Sequence, residues 1–230
     1  MENKTAILVF ANSAAEETNH KSIPGGEALF NQLTDHTLIT VKKTELPYFH
    51  CTEDQQNGNC FGTRFYNAVK HIFDQGYQHV ITIGNDTPHL SALHIRSAYK
   101  HLLDKKIVLG PSTDGGYYLM GFDKSMFSKI EANKFIQLPW KTSGLQNSFN
   151  QLLKSINRIA VSLQSLVDLD SIADLKKIIH QGQPIPQKIY QILISIITTR
   201  PKIILYTPKY REHSFHTNYF NKGSPLQIPF

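Results

Sequence analysis

The sequence predicts an α/β fold with a mainly parallel β-sheet at its centre. Short, mostly apolar runs such as 6–10 and 79–83 are typical of strands that are buried on both faces. Helical patterns separate these runs, and strands that alternate with helices at this spacing indicate right-handed βαβ crossovers. A composition of 40% hydrophobic and 18% charged residues lies in the globular range and excludes a chain that is disordered throughout.

The predicted elements follow one another along most of the chain. The strands are 6–10, 46–51, 79–83, 106–109, 117–121 and 159–163, and 202–206 is a further candidate strand. The helices are 27–41, 61–75, 91–103, 144–154, 171–180 and 186–199. The segment 11–26 contains charged and small residues followed by Pro-Gly-Gly, so we predict a loop there.

The helix that begins at Phe61 has the clearest periodicity. Its apolar residues recur at helical spacing on one face, and Gly76 stands where the helix is expected to end. They are Phe61, Phe65, Ala68, Val69, Ile72 and Phe73. We interpret this stripe as hydrophobic core rather than as a cofactor site.

The charge of the chain is unevenly distributed. Residues 1–170 contain 16 basic and 16 acidic side chains, whereas residues 171–230 contain 8 and 2, so the net charge of +6 arises at the C-terminal end. We expect a main domain over residues 1–180 and a helical, basic extension over 181–230 that packs on the domain or trails from it. Binding to nucleic acid or an anionic membrane is a weak expectation and is confined to the tail beyond Pro208.

The sequence contains no run of about 18 apolar residues and no secretion signal at its N-terminus. We therefore expect a cytoplasmic protein. The two cysteines, Cys51 and Cys60, are too few for a disulfide scaffold and lack partners at zinc-finger spacing, so we expect reduced thiols.

Acidic residues follow several of the predicted strands. In an open parallel sheet the ligand crevice lies outside the carboxyl ends of the strands, which is where Asp86 and Asp114 are expected. Asp168 and Asp170 alternate along an extended segment and are expected to face the same side. Converging carboxylates favour a divalent cation, Mg²⁺ or Mn²⁺, that also bridges substrate phosphates. The alternative is structural, with Asp86 and Asp114 as turn formers and Asp170 as a helix cap.

Two segments carry a family resemblance. They are Ile-Gly-Asn-Asp-Thr-Pro-His-Leu at 83–90 and Val-Leu-Gly-Pro-Ser-Thr-Asp-Gly-Gly-Tyr-Tyr-Leu-Met-Gly at 108–121. Together with shorter matches at 56–64, 139–142 and 168–175, they make the chain similar to the DUF2064 family of GT-A-like nucleotide-diphospho-sugar transferases, relatives of arsenosugar-biosynthesis-type glycosyltransferases. The resemblance spans about residues 5–180.

The resemblance implies a Rossmann-like GT-A fold, a mainly parallel sheet with helices on both faces. It also implies a nucleotide-sugar donor and a divalent metal ion held by Asp86, with Asp170 as a second metal contact. Asp114, with Gly115 and Gly116, is implied to line the sugar or acceptor pocket, which makes Asp86 and Asp114 the expected catalytic residues.

The chain departs from the family pattern in the segment after the first strand. Family members usually have Lys-Thr-Arg there, whereas this chain has Lys21 followed by Ser and then Ile23. Arg64 is a substitute for the missing guanidinium, or else a solvated surface residue. Tyr117 and Trp140 are expected to stack on a base or a sugar, although a core role for Trp140 is equally open.

Three functions remain open from the sequence. The first is a metal-dependent glycosyltransferase that moves a sugar from a nucleotide-sugar donor to a small-molecule acceptor. The second is a nucleotidyltransferase, which the absence of a glycine-rich first loop disfavours. The third is a non-catalytic scaffold that has lost donor binding.

Overall fold

The computed structural model describes residues 4–198, and these contain a six-stranded sheet with the strand order β2-β1-β3-β5-β4-β6. The strands are β1 (Thr5–Phe10), β2 (Tyr48–Cys51), β3 (His79–Ile83), β4 (Ile107–Pro111), β5 (Tyr117–Asp123) and β6 (Ala160–Ser162). β5 is antiparallel to β3 and β4, whereas the β1–β2, β1–β3 and β4–β6 pairs are parallel. The predicted α/β fold with a mainly parallel sheet is confirmed.

Nine α-helices surround the sheet within the described residues, and a 3₁₀ turn covers Glu53–Gln55. The helices are α1 (Ala14–His20), α2 (Gly26–Lys42), α3 (Phe61–Asp74), α4 (Ala92–Leu103), α5 (Lys124–Phe127), α6 (Ala132–Ile136), α7 (Leu145–Ser155), α8 (Ile172–His180) and α9 (Gln187–Thr198). The candidate strand at 202–206 and the basic tail beyond Pro208 lie outside the described residues. No helix among residues 4–198 combines the length and the apolar character that crossing a membrane requires.

The helices cover both faces of the sheet, because alternate strand residues point to opposite sides. On one face Leu8 packs in a cluster with Phe65 of α3, Phe135 of α6 and Phe149 of α7. On the other face Ile7 and its neighbours pack against α4 and the end of α2. The apolar stripe of α3 is part of the first cluster, which confirms its interpretation as core.

A third cluster joins four helices beside the sheet. Leu29 and Leu33 of α2 pack with Leu175 of α8 and Leu193 of α9, and Ala14 of α1 lies in the same cluster. This cluster is important for the site because it supports the segments that precede Lys21 and follow β6.

The segment 11–26 is not only a loop, because it contains α1. Ser13 caps this helix: its Oγ accepts a hydrogen bond from the backbone N–H of Glu16, and its own N–H donates to Glu53 at 2.6 Å. The helix has seven residues, of which only Ala14 and Glu17 are buried, so it is too short and too polar to show an apolar period. The Pro-Gly-Gly part of the segment does form a turn, in which Gly25 has a φ of 68°.

Candidate functional site

A cavity of about 460 Å³ lies at the carboxyl ends of β1, β3 and β4. The first residue of β5, Tyr117, enters at the same edge because this strand runs in the opposite direction. We call this space the strand-end cavity. Its acidic and basic lining residues are Glu17, His20, Lys21, Arg64, Asp86, Asp114, Lys141, Asp168 and Asp170. The segments that follow the strands are thus gathered around one space, as in other open α/β sheets.

The ammonium group of Lys21 lies among three carboxylates in this cavity. Its Nζ is 2.7 Å from Asp86, 2.8 Å from Asp170 and 3.2 Å from Glu17. Burial by itself lowers the pKa of Lys21, but attraction by Asp86, Glu17 and Asp170 outweighs burial and raises the pKa well above its ordinary value. The side chain is therefore a permanent cation at physiological pH.

Three elements hold this cluster in place. Glu17 and Lys21 are one helical turn apart at the end of α1, and Asn12 donates a 2.9 Å hydrogen bond to Glu17. The backbone N–H of Leu169 donates to the carbonyl of Asp86 at 2.9 Å, which joins the segment after β6 to the segment after β3. The Lys21 ammonium completes the connection by donating to the Leu169 carbonyl at 3.2 Å.

Asp168 connects the ends of two strands. Its carboxyl oxygens accept hydrogen bonds from the hydroxyls of Thr87, after β3, and Ser112, after β4. Burial, with a smaller contribution from the nearby charge of Asp86, raises the pKa of Asp168 to about 8. Its carboxyl group is therefore harder to deprotonate than that of an exposed aspartate.

Asp114 lines the cavity, but the two glycines after it do not. The backbone N–H of Gly116 donates to the Asp114 carboxylate at 2.9 Å, so this residue also forms a turn. Gly115 has a φ of 102°, and a Cβ there would lie 2.5 Å from the Cα of Ser143. Gly115 and Gly116 are therefore not among the lining residues. The conformation of Gly115 allows close packing against the backbone of Ser143, and a Cβ on Gly116 would lie 3.3 Å from the Asp114 carboxylate.

A second group of lining residues forms an aromatic and basic wall of the cavity. Trp140 packs against Phe61, Phe65 and Phe135, with ring centroids 5.1 to 5.5 Å apart, and its indole N–H donates to the carbonyl of Phe135 at 3.0 Å. The indole N–H is thus engaged within the core, and Trp140 also lines the cavity. Trp140 is both an anchor of the core and part of the wall.

Arg64, Tyr117 and Lys141 also line this part of the cavity. The Nε of Arg64 is buried, and no atom of residues 4–198 is hydrogen-bonded to it. Burial raises the pKa of Tyr117 to about 12, so its hydroxyl keeps its proton. Lys141 extends the basic character, with its ammonium 5.4 Å from the centre of the Phe61 ring.

Most of the residues expected from the sequence line the same cavity. They are Lys21, Arg64, Asp86, Asp114, Tyr117, Trp140 and Asp170. The sequence reasoning did not assign Asn12, Glu17 or Asn85 to the site. Glu17 was detectable in principle, since a glutamate four residues before a lysine on a helix forms an ion pair, but α1 was not predicted.

The expected divalent cation does not fit this arrangement. Asp86 and Asp170, the two expected metal ligands, lie close together, but both direct an oxygen at the Lys21 ammonium. Across residues 4–198, no three or more histidine, cysteine, aspartate or glutamate side chains are grouped so that they would hold a metal ion.

Residues 29–142 match the model of the family DUF2064, which is described as an uncharacterized protein conserved in bacteria. This region of the chain belongs to the DUF2064 family. The DUF2064 region contains Arg64, Asp86, Asp114 and Trp140, whereas Lys21 and Asp170 lie outside the match. No curated protein matches the sequence.

Solved structures support the fold of this chain. A candidate nucleotide-diphospho-sugar transferase from Desulfovibrio desulfuricans G20 superposes with a TM-score of 0.72 at 18% identity, over 84% of this chain and 96% of that one. The 4-diphosphocytidyl-2C-methyl-D-erythritol synthase of Anaerococcus prevotii DSM 20548 has a TM-score of 0.52 at 12% identity, over 80% and 100%. At these identities the likeness establishes the GT-A-like fold alone.

Proposed function

We propose that this protein is a transferase that takes a sugar from a nucleotide-sugar donor and passes it to a small-molecule acceptor. The observation that carries the proposal is the strand-end cavity, which combines an acidic side with a basic and aromatic wall. Its position at the carboxyl ends of the strands is the usual ligand position in such sheets. The similarity in fold to a candidate nucleotide-diphospho-sugar transferase supports the same function.

Donor binding is assigned to the basic and aromatic wall. The guanidinium of Arg64, with its unpartnered Nε, is suited to a diphosphate because it donates charge-assisted hydrogen bonds in a fixed plane. Tyr117 and Trp140, which both line the cavity, offer aromatic rings for a sugar or a base. This wall replaces the arginine that is absent at Ile23.

Transfer requires an acceptor hydroxyl to attack the anomeric carbon of the donor sugar. The new bond forms between that oxygen and carbon, the bond from the carbon to the diphosphate oxygen breaks, and a nucleoside diphosphate leaves. We propose that Asp114 is the general base that removes the proton of the attacking hydroxyl. Asp114 lines the cavity and forms no ion pair within residues 4–198. Asp86 is assigned to orientation of the site through Lys21.

Metal dependence was part of the expectation from the sequence, with Mg²⁺ or Mn²⁺ held by Asp86 and Asp170. No step of the proposed reaction is assigned to a metal ion, because the oxygens in question already bind the Lys21 ammonium.

Nucleotidyl transfer is the less favoured alternative. It requires a site for a triphosphate directly after β1, usually a glycine-rich loop. In this chain residues 11–21 contain no glycine, and α1 occupies most of that segment. Release of pyrophosphate from a nucleoside triphosphate would favour this alternative, whereas release of a nucleoside diphosphate from a sugar nucleotide favours glycosyl transfer.

A binding screen with UDP-, GDP-, CDP- and dTDP-sugars tests the proposed function. Trp140 is the single tryptophan of the chain, so its fluorescence reports directly on the cavity wall. We expect one nucleotide class to change the fluorescence, and Arg64→Met to weaken that binding by about 10- to 150-fold, the equivalent of about 1.5–3 kcal/mol.

Arg158→Met is the matched control, since Arg158 is exposed and lies outside the cavity lining. Equal losses in both variants would contradict the assignment of Arg64. No response to any nucleotide sugar would argue for the scaffold alternative instead of the transferase.

A further inference from the structure

We infer that the ammonium group of Lys21 is the resident cation of the strand-end cavity, in the position where the sequence led us to expect a divalent metal ion. The inference concerns the site of the proposed function. Its metal-binding test does not depend on that function, because the test uses no nucleotide.

The first support is the coordination of the ammonium group. Four oxygens surround the Nζ of Lys21, three from the carboxylates of Glu17, Asp86 and Asp170 and one from the Leu169 carbonyl, at 2.7 to 3.2 Å. A shell of carboxylate and carbonyl oxygens is also what a hard divalent cation requires. The lysine therefore uses the same oxygens that such an ion would need.

The second support is that this lysine is held in place. Only 13% of its side chain is exposed, and the ammonium lies 5.5 Å from the centre of the Phe30 ring. Its backbone N–H closes α1 by donating to the carbonyl of Glu17 at 2.8 Å. Withdrawal of the side chain would leave three carboxylates facing one another without a cation, which repulsion disfavours.

The two cations exclude each other on electrostatic grounds. Divalent ions bind oxygens at about 2.0–2.6 Å, so an ion held by Asp86 and Asp170 would lie next to the ammonium. Repulsion between the two positive charges at such a distance is strong in a partly buried site. Removal of the ammonium is therefore expected to create a metal site.

Titration of the full chain with Mn²⁺, followed by electron paramagnetic resonance without nucleotide, tests the inference. We expect Lys21→Met to bind one Mn²⁺ at least about tenfold more tightly than the wild type. Asp86→Asn in the Lys21→Met background should abolish this binding. Lys70→Met is the matched control: Lys70 pairs with Asp74 on the exposed face of α3, and its loss should leave Mn²⁺ binding at the wild-type level.

Two results would overturn the inference. One is Mn²⁺ binding by the wild type that Asp86→Asn or Asp170→Asn abolishes. This measurement tests the inference even if Lys21→Met does not fold, because it does not use that variant. The other is a folded Lys21→Met protein that binds no Mn²⁺, since the carboxylates would then not form a cation site. Failure of the nucleotide screen would refute the proposed function without changing either result.

Discussion

Asp168 shows how one side chain joins segments that are distant in the sequence. Thr87 and Ser112, whose hydroxyls donate to it, are buried. These hydroxyl groups therefore depend on the Asp168 carboxyl group as their hydrogen-bond acceptor. We expect Asp168→Ala to lower the free energy of unfolding by about 1–3 kcal/mol, the cost of leaving buried polar groups unpaired.

Urea denaturation measures this loss. Asp104→Ala is the control, since Asp104 is exposed and forms a surface ion pair with Lys106 at 3.4 Å; a change within about 0.5 kcal/mol is expected there. A loss at Asp168 no larger than at Asp104 would show that the hydroxyls find other partners.

Gly62 determines how closely α3 approaches the wall of the cavity. A Cβ at this position would lie 2.2 Å from the carbonyl oxygen of Ile136 and 2.8 Å from the indole nitrogen of Trp140. Gly62→Ala is expected to lower the free energy of unfolding by about 1–3 kcal/mol through overpacking. Because Trp140 would shift, its emission maximum should change as well.

Gly144→Ala is the matched control for this glycine. Its φ is negative, and the nearest atom to a new Cβ is the Thr142 hydroxyl at 3.6 Å, an ordinary contact. We expect little loss of stability and unchanged emission. An unaltered spectrum in Gly62→Ala would contradict the close contact with Trp140.

At the scale of the element, α1 depends on its N-terminal cap. Ser13 supplies the capping oxygen and also connects the helix to Glu53. A polar helix of seven residues has little stability of its own. Ser13→Ala is therefore expected to destabilise α1 by about 0.5–2 kcal/mol.

Hydrogen exchange detects this local effect. Amides at the end of α1, including that of Lys21, should exchange faster in Ser13→Ala, while amides of β3 should keep their protection. Ser155→Ala, which alters a serine at the end of α7, is the control. Equal protection of α1 in wild type and Ser13→Ala would mean that the cap does not hold the helix.

The helices that were predicted and those that were missed differ in length and burial. α3 buries a long apolar face, so its period is readable in the sequence. α5 and α6 have four and five residues, and with α1 they were not predicted. Such short helices are defined by caps and neighbouring contacts, and these do not leave a periodic pattern.

At the scale of the whole molecule, partly and fully buried histidines make stability depend on pH. Burial lowers the pKa of five histidines below the ordinary value of 6.5: His36, His50, His79, His89 and His94. Below about pH 6.5 the unfolded chain therefore binds more protons at these positions, so each contribution to stability is lost as the pH falls. The raised pKa of Asp168 has the opposite effect on stability, because the folded chain then binds the extra proton as the pH falls. The contribution of one histidine is therefore measured by comparing a variant with the wild type.

His94→Gln provides that comparison. The backbone N–H of Ser91 donates to the Nδ1 of His94 at 3.1 Å, and a glutamine retains this capping contact without titrating. We expect the free energy of unfolding of His94→Gln to fall less between pH 7 and 5 than that of the wild type, by at most about 1.4 kcal/mol per pH unit. The same replacement at exposed His71 is the matched control, and parallel curves for His94→Gln and wild type would contradict the effect.

The sequence by itself determined the α/β class, the longer elements and the edge of the sheet at which the site lies. These features follow from apolar periodicity and from the polar residues after each strand, which are local properties of the chain. Only the tertiary structure decided how the charged residues of the site are paired. Lys21 and Asp86 are 65 residues apart, and a lysine becomes the partner of three carboxylates only when α1, β3 and the segment after β6 are brought together by burial of their apolar faces.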